Sequence, residues 1–312
     1  LKLGELVVQT ARRFSTARLH YGHGTDNARD EAAYLVLRGL DLPFHADARI
    51  PVDDADLRRV EKLIARRIHE RIPSAYLLKE AWLDGLPFYV DRRVIVPRSH
   101  IASLLHSWPG RVRRVLDMCA GSACLAILAA RAFPFAQIDA VDISASSLAV
   151  AERNRRLHGL RHRMELIRSD LFTSLRGRHY DLILTNPPYV PQAVMRRLPR
   201  EYRYEPGLAL GAGEDGMDLV ARILQAAPEH LRPGGALICE IGDNRRGLEQ
   251  RYPRLPLSWR LPEVFIYRPA RNRAGARERP TRARGARRAR SRASPVQARA
   301  WRRRGAGLPR YR

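Results

Sequence analysis

From residue 111 onward, short apolar runs alternate with longer segments whose apolar positions recur every three to four residues. The runs at 112–117, 137–142, 164–168, 181–185 and 236–240 predict strands, and the segments at 146–158 and 216–230 predict helices. Alternating strands and helices predict an α/β fold built on a doubly wound parallel sheet. Ligands of such sheets bind outside the carboxyl ends of the strands, so the residues that follow each run are where chemistry is expected.

The first 75 or so residues have helical patterning instead. Asp53 and Asp54 can cap a helix that carries Leu57, Val60, Ile64, Ile68 and Ile72 on one face, with Pro73 ending it. A similar pattern over 28–42 follows Thr25-Asp26-Asn27, which supply cap residues. Alternation over 82–96 around Gly85-Leu86-Pro87 predicts a short hairpin, 88–90 against 94–96, after which Pro97-Arg98-Ser99 opens a helix. The boundaries expected are a small helical domain over 1–80, a linking hairpin over 81–98, a sheet domain over 99–268 and a tail over 269–312. Within the helical part, His20-Tyr21-Gly22-His23-Gly24-Thr25 offers two imidazoles with no third ligand at matching spacing, and reads as a polar loop rather than a metal site.

Composition narrows the function classes. With 312 residues, 45% of them hydrophobic, the chain can bury one large core and a smaller one. No apolar run reaches the ~18 residues that a membrane span needs, and no signal-peptide pattern opens the sequence. Cys119, Cys124 and Cys239 lack metal-type spacing and predict a reducing, cytoplasmic compartment without a disulfide framework. The net charge of +25 is unevenly spread: residues 271–312 hold 16 Arg and a single acid, Glu278, and so carry +15 of it. The rest is moderately basic, which suits nucleic acid or a ribosome-associated partner.

The strand ends carry the chemistry. Val115-Leu116-Asp117 is followed by Met118-Cys119-Ala120-Gly121-Ser122-Ala123-Cys124, a small-residue loop between strand and helix that lets a ligand approach the backbone. The glycine fingerprint is degenerate, with Cys119 and Ala123 at glycine positions. Asp142, followed by Ile143, ends the next strand 25 residues after Asp117, close to the spacing of a ribose-binding acid. The third strand ends in Ser169-Asp170-Leu171-Phe172, where Asp170 can accept from an adenine amino group and Leu171 or Phe172 can cover the ring. An acid at a strand end often only caps the next helix; three at successive strand ends point to a nucleoside-type ligand. No Lys follows the loop as it would in a P-loop, which argues against triphosphate hydrolysis.

The fourth strand runs into Asn186-Pro187-Pro188-Tyr189. Two prolines fix φ and remove two N–H donors, leaving rigid carbonyl acceptors beside the Asn186 amide. That set suits a planar amino group, whose two N–H bonds are held by acceptors while an aromatic ring packs on its face. The chemistry indicated is methyl transfer to an amide or exocyclic nitrogen. Two other classes stay open at this point: an adenine or guanine amino methyltransferase acting on nucleic acid, and a non-catalytic RNA-binding or assembly factor with a decayed cofactor loop.

These residues resemble the class I S-adenosylmethionine-dependent methyltransferases, in particular the glutamine N5-methyltransferases. The loop after Asp117, the Asn186–Tyr189 segment followed by Val190, Tyr204-Glu205-Pro206-Gly207-Leu208-Ala209-Leu210 and Asp215-Gly216 all match that family's pattern. Tyr21-Gly22-His23-Gly24-Thr25-Asp26-Asn27, Arg71-Ile72-Pro73, Ala75-Tyr76-Leu77, Ala81-Trp82, Phe88-Tyr89-Val90-Asp91-Arg92 and Val96-Pro97-Arg98-Ser99 are similar to the branch that acts on large-subunit ribosomal protein L-three. The likeness runs from about 12 to about 259. It implies S-adenosylmethionine as cofactor, with Asp117, Cys119, Gly121, Ser122, Ala123, Asp142, Ile143, Asp170, Leu171 and Asn186 around it. It further implies Asn186, Pro187, Pro188 and Tyr189 around the glutamine, no metal, substrate recognition by the helical domain, and L-three or ribosomal RNA of an assembling subunit as partners.

The sequence departs from the pattern at four places. Ala123 replaces a glycine, at a cost of about 1 kcal/mol or more wherever φ is positive. His100 and Ser103 replace a proline and an acid. After Trp259 the chain turns to Arg, Ala, Gly and Pro, either an out-of-frame reading of GC-rich DNA or a basic arm for RNA. An incomplete sheet edge is therefore expected, with 263–267 as its only replacement strand.

Overall fold

The computed structural model describes residues 1–269. Residues 1–98 with 197–207 form one compact unit, and residues 99–196 with the described chain from 208 form the second. The expected tail over 269–312 lies, but for its first residue, outside the described residues.

In the first unit, α1 (Leu3–Thr16) buries Leu3, Leu6, Thr10 and Phe14, one stripe at helical spacing. The helix α2 (Ala28–Gly39) starts where the Asn27 side chain accepts from the Asp30 N–H. At α3 (Asp54–His69) the Asp53 side chain likewise accepts from the Asp56 N–H. This helix stops short of Ile72, because Arg71 adopts φ 64° and turns the chain before Pro73. The short α4 (Ser74–Leu78) leads to β1 (Glu80–Leu83) and β2 (Leu86–Tyr89).

The expected hairpin of 88–90 against 94–96 is corrected here. Residues 86–89 pair back onto 80–83, with Ala81 opposite Phe88. The reason is the two-residue turn Asp84-Gly85, with φ of 52° and 74°, whose twist matches a tight antiparallel ribbon. Val94 and Val96 are buried without joining a strand.

The polar loop expected over 20–25 lies between α1 and α2, and His23 and Thr25 within it are buried. They belong to a charged centre. The Arg67 guanidinium is 1% exposed and donates to Glu31 at 2.6 Å, Glu201 at 3.3 Å and the His20 carbonyl at 2.8 Å. Ser74 donates to Glu31 at 2.6 Å. Glu205 takes both guanidinium arms of Arg98 and the Val96 N–H at 3.0 Å. Burial opposes ionisation of both carboxyls, yet Arg67 holds Glu31, and Arg98 holds Glu205, below the ordinary range. Glu201 and Glu205 come from the segment 197–207, which includes a 3-10 turn over Arg200–Tyr204.

The second unit is built on a seven-stranded sheet. Its elements are α5 (Ile101–Leu105), β3 (Arg114–Met118), α6 (Cys124–Ala132), β4 (Gln137–Asp142), α7 (Ala145–Leu157), β5 (Met164–Arg168) and β6 (Tyr180–Thr185). They continue with α8 (Gln192–Met195), α9 (Asp218–His230), β7 (Leu231–Glu240), α10 (Arg245–Arg251), β8 (Leu257–Leu261) and β9 (Val264–Tyr267). The order is β5-β4-β3-β6-β7-β9-β8. The first five strands are parallel, and β9 runs antiparallel between β7 and β8. The expected doubly wound sheet is present.

The expected incomplete edge is not. Both closing strands form, because Val264, Phe265, Ile266 and Tyr267 are all buried and pair with β7 on one side and β8 on the other. Trp259 on β8 packs edge-on against Phe265 at 5.5 Å, and the Arg245 guanidinium lies 4.6 Å from the Trp259 ring. The apolar run after Trp259 was long enough for a strand. The strand over 264–267 is the replacement expected over 263–267; it is interior to the sheet, and β8 supplies the edge.

The buried His23 generates a pH prediction. Neither of its ring nitrogens makes a hydrogen bond among the described residues, and Nε2 stands 3.8 Å from Glu205. Burial pushes its pKa from 6.5 down to about 3, despite the pull of Glu205. The unfolded chain therefore binds the extra proton first, and acidification through this window destabilises the fold. Between pH 6.5 and 5 the loss is about 2 kcal/mol. Asp117, raised by burial to about 8, contributes with opposite sign, so the comparison is with His23→Gln. The melting temperature of the unsubstituted protein is expected to fall more than that of the variant between pH 7 and 5; parallel shifts would refute it.

Candidate active site

The sheet order reverses between β3 and β6, which sit side by side with Met118 opposite Thr185. The loops that leave these two strand ends, 119–123 and 186–189, are therefore neighbours at the topological switch point.

The first loop turns sharply because three of its five residues are left-handed: Cys119 at φ 61°, Gly121 at 53° and Ala123 at 61°. Only Gly121 takes that conformation freely. The condition attached to Ala123 is thus met, and its side chain carries the strain of about 1 kcal/mol while being fully buried. The turn is closed by Ala123 N–H donating to the Ala120 carbonyl at 2.7 Å, and Ala120 N–H donates to Val141 on β4 at 2.9 Å. Buried Ser122 is held through its carbonyl by Asn154 Nδ2 at 3.0 Å.

Asp117 lies inside rather than at the mouth. It is 1% exposed, and its carboxyl accepts from the Ala126 N–H at 2.8 Å in the first turn of α6. Burial raises it to about 8 against the pull of that N–H, with Asp142 adding to the rise. Asp142 is half-buried at the end of β4 and braces the loop, accepting from the Gly121 N–H and the Ser144 N–H at 2.8 Å each. Burial raises its pKa in spite of these bonds. A carboxylate has about four lone-pair sites, and the backbone N–H groups of Gly121, Ile143 and Ser144 leave part of that capacity for a hydroxyl donor. Ile143 next to it is 48% exposed, an apolar surface at the same strand end. Burial also pushes the thiols up, Cys124 to about 12 and Cys119 further.

At the third strand end, Asp170 is exposed and paired with Arg222 of α9 at 2.8 Å. Such an exposed pair is weak and exchanges readily with other partners. Leu171 is buried at φ 48°. The alternative cover, Phe172, stacks on His230 at 4.6 Å, and both it and Leu171 belong to the core cluster of the sheet.

The second loop carries Asn186, half-buried at the end of β6. Pro187 and Pro188 behind it are buried. The far end is tied down, because Val190 N–H donates to Leu210 at 2.8 Å and Ala212 N–H donates to Val190 at 3.1 Å. Tyr189 lies between two glycines that tolerate no side chain. A Cβ on Gly216 would stand 2.3 Å from the Tyr189 carbonyl, and one on Gly242 would stand 2.7 Å from its ring. Of these only Gly216 was in the sequence pattern. Gly242 follows Glu240 with no local sign that Tyr189 rests on it. Glu240 at the end of β7 has a structural place, accepting from Ser99 Oγ at 2.7 Å and the His100 N–H at 2.9 Å.

The contrast between glycines is testable. Gly216→Ala adds a methyl at φ 79° against a backbone oxygen, and is expected to cost at least about 1 kcal/mol. Gly247 lies in α10 with nothing within 4 Å of its would-be Cβ, so Gly247→Ala is expected to stabilise by about 0.5–1 kcal/mol. Thermal unfolding of the two variants should therefore move in opposite directions; a shared direction would contradict the tight seat of Tyr189.

Comparison with known proteins agrees with this geometry. The methyltransferase small domain family matches residues 101–198, the stretch holding both loops. The ribosomal protein uL3 glutamine methyltransferase of Bordetella pertussis is 53% identical over 82% of this chain and 90% of its own length. Its counterpart from Bradyrhizobium diazoefficiens is 49% identical over 82% and 87%, and that from Burkholderia pseudomallei 48% over 82% and 89%. At such identity across most of both lengths, the chain belongs to the ribosomal protein uL3 glutamine methyltransferase family.

Proposed function

We propose that this chain transfers a methyl group from S-adenosylmethionine to the side-chain N5 of a glutamine in large-subunit ribosomal protein L-three, the uL3 of its relatives' names. The observation that carries the reading is the placement of Asn186: a partly accessible amide beside a loop of left-handed residues at the switch point.

The residues present fit the cofactor. The turn at Cys119, Gly121 and Ala123 brings backbone within reach of a ligand, Asp142 has lone pairs left for ribose hydroxyls, and Ile143 offers an apolar surface to a base. Asp170 would reach an adenine amino group once Arg222 exchanges. When bound, S-adenosylmethionine supplies an electrophilic methyl on a cationic sulfur.

An amide nitrogen is a poor nucleophile because its lone pair is delocalised, so placement has to do most of the work. Asn186 Oδ1 and the Pro187 carbonyl would accept the two N–H bonds of the glutamine, and Tyr189 would pack on the flat amide. The same two acceptors would stabilise the positive charge that develops on nitrogen as the S–CH3 bond breaks to leave the neutral thioether, until the extra proton on nitrogen is released to water. The reaction is proposed for the cytoplasm, where the free thiols of Cys119, Cys124 and Cys239 stay reduced. Among the described residues no helix is long and apolar enough to cross a membrane. The basic excess of the chain suits an L-three acceptor that already contacts ribosomal RNA.

The test is transfer of labelled methyl to purified, unmethylated L-three, with a release factor and bare ribosomal RNA as parallel acceptors. Label is expected on an L-three glutamine. Asn186→Ala is expected to lower kcat by about a hundredfold or more, with S-adenosylhomocysteine still bound. Label on RNA alone, or an Asn186→Ala variant as fast as the parent, would overturn the assignment.

A further inference from the structure

Asn244 stands at the N-cap of α10, where an asparagine ordinarily turns its side-chain oxygen toward the N–H groups of its own helix. Here it makes no such bond. Its Nδ2 instead donates to the Tyr189 carbonyl at 2.8 Å and to the Ile241 carbonyl at 3.1 Å. The helix forgoes that cap, and its first turn is closed through the Asn244 backbone alone, whose carbonyl accepts from the Leu248 N–H at 3.1 Å. The side chain therefore serves a loop 55 residues away in sequence rather than the helix it begins.

The segment it reaches is the one on which the proposed reaction depends. Upstream, Asn186 leaves β6, which is locked into the sheet between β3 and β7. Downstream, Val190 is bridged to the 210–212 strip. Between these anchors the two prolines have no N–H to donate. The peptide that follows the prolines, between Tyr189 and Val190, is therefore held at both ends: its N–H donates to Leu210 at 2.8 Å and its carbonyl accepts from Asn244 at 2.8 Å. Gly216 and Gly242 bring backbone up to its carbonyl and ring from two sides. These contacts limit where Tyr189 can go, and the Asn244 bond, with the Val190 bond to Leu210, gives its peptide a direction.

We infer that Asn244 is a positioning residue for the methyl-transfer site: its carboxamide N–H orients Tyr189, and through it the acceptors that hold the substrate amide. This rests on the functional reading of Asn186–Tyr189 given above. A donor is required at this position. Aspartate has the same shape but would set an acceptor against two carbonyls, and serine is a good helix cap that is too short to reach Tyr189. Glutamine keeps the amide on a longer arm.

The full chain is assayed with L-three and labelled S-adenosylmethionine, measuring kcat, KM and S-adenosylhomocysteine affinity for Asn244→Asp, Asn244→Ser and Asn244→Gln. Asn244→Asp and Asn244→Ser are expected to lower kcat at least about tenfold with cofactor affinity within about twofold of the parent, because misplacement of reacting groups is felt in the chemical step. Asn244→Gln is expected to recover part of the loss. A cap role predicts the reverse ranking, with Asp and Ser as active as Asn. Parent kcat in either folded variant, or a loss confined to cofactor binding, would overturn the inference. Absence of transfer by the parent would instead strike the functional reading itself, so the two failures are distinct.

Discussion

The parallel pairing of β3 with β6 is the constraint on which the rest of the second unit depends. Each strand alone ends in an unremarked loop. Side by side, with Met118 opposite Thr185, they bring a tight left-handed turn and a proline-stiffened turn to one place. Main-chain ladder bonds set this register, and the apolar residues on both faces hold it: Val115, Leu116, Leu182 and Ile183 are all fully buried. A slip of one residue would turn each of these side chains to the opposite face.

Around that junction the chain tolerates strain where the geometry demands it. Ala123 and Cys119 sit at φ values that favour glycine, as does Leu171 at the next strand end but one. Positive φ at non-glycine residues persists only where the surroundings determine it, and here those surroundings are ladder strands and the Asp142 bonds to Gly121 and Ser144. The same economy explains Asp117. An acid placed to look like a ligand contact is turned inward to hold the first turn of α6, so that the loop in front of it has a fixed back wall.

The first unit is organised by charge rather than by apolar packing alone. Arg67 is surrounded by Glu31 and Glu201, all three deeply buried, and the partly buried Arg98 pairs with the buried Glu205. Such clusters contribute little net stability against desolvation, yet loss of one member leaves an uncompensated charge. Their effect is to specify which segment docks: Glu201 and Glu205 lie in 197–207, which follows the Asn186–Tyr189 turn in sequence and is drawn into the helical unit.

Much of this was determined by the sequence alone. Strand and helix order follows from apolar periodicity, which is local, and the caps at Asn27 and Asp53 follow from side chains within three residues of the groups they satisfy. The Asn186–Tyr189 turn was legible because proline and asparagine impose geometry on their own backbone. Tertiary structure decided the rest. The Asp84-Gly85 turn chose the hairpin register, the pairing of 257–261 with 264–267 completed the sheet, and Phe172 was taken into the core by His230. It also decided the partners of Asn244 and Gly242, which touch Tyr189 across more than 50 residues of chain. Periodicity and capping act over one turn of helix or one strand, whereas these contacts exist only once the sheet has brought distant strand ends together.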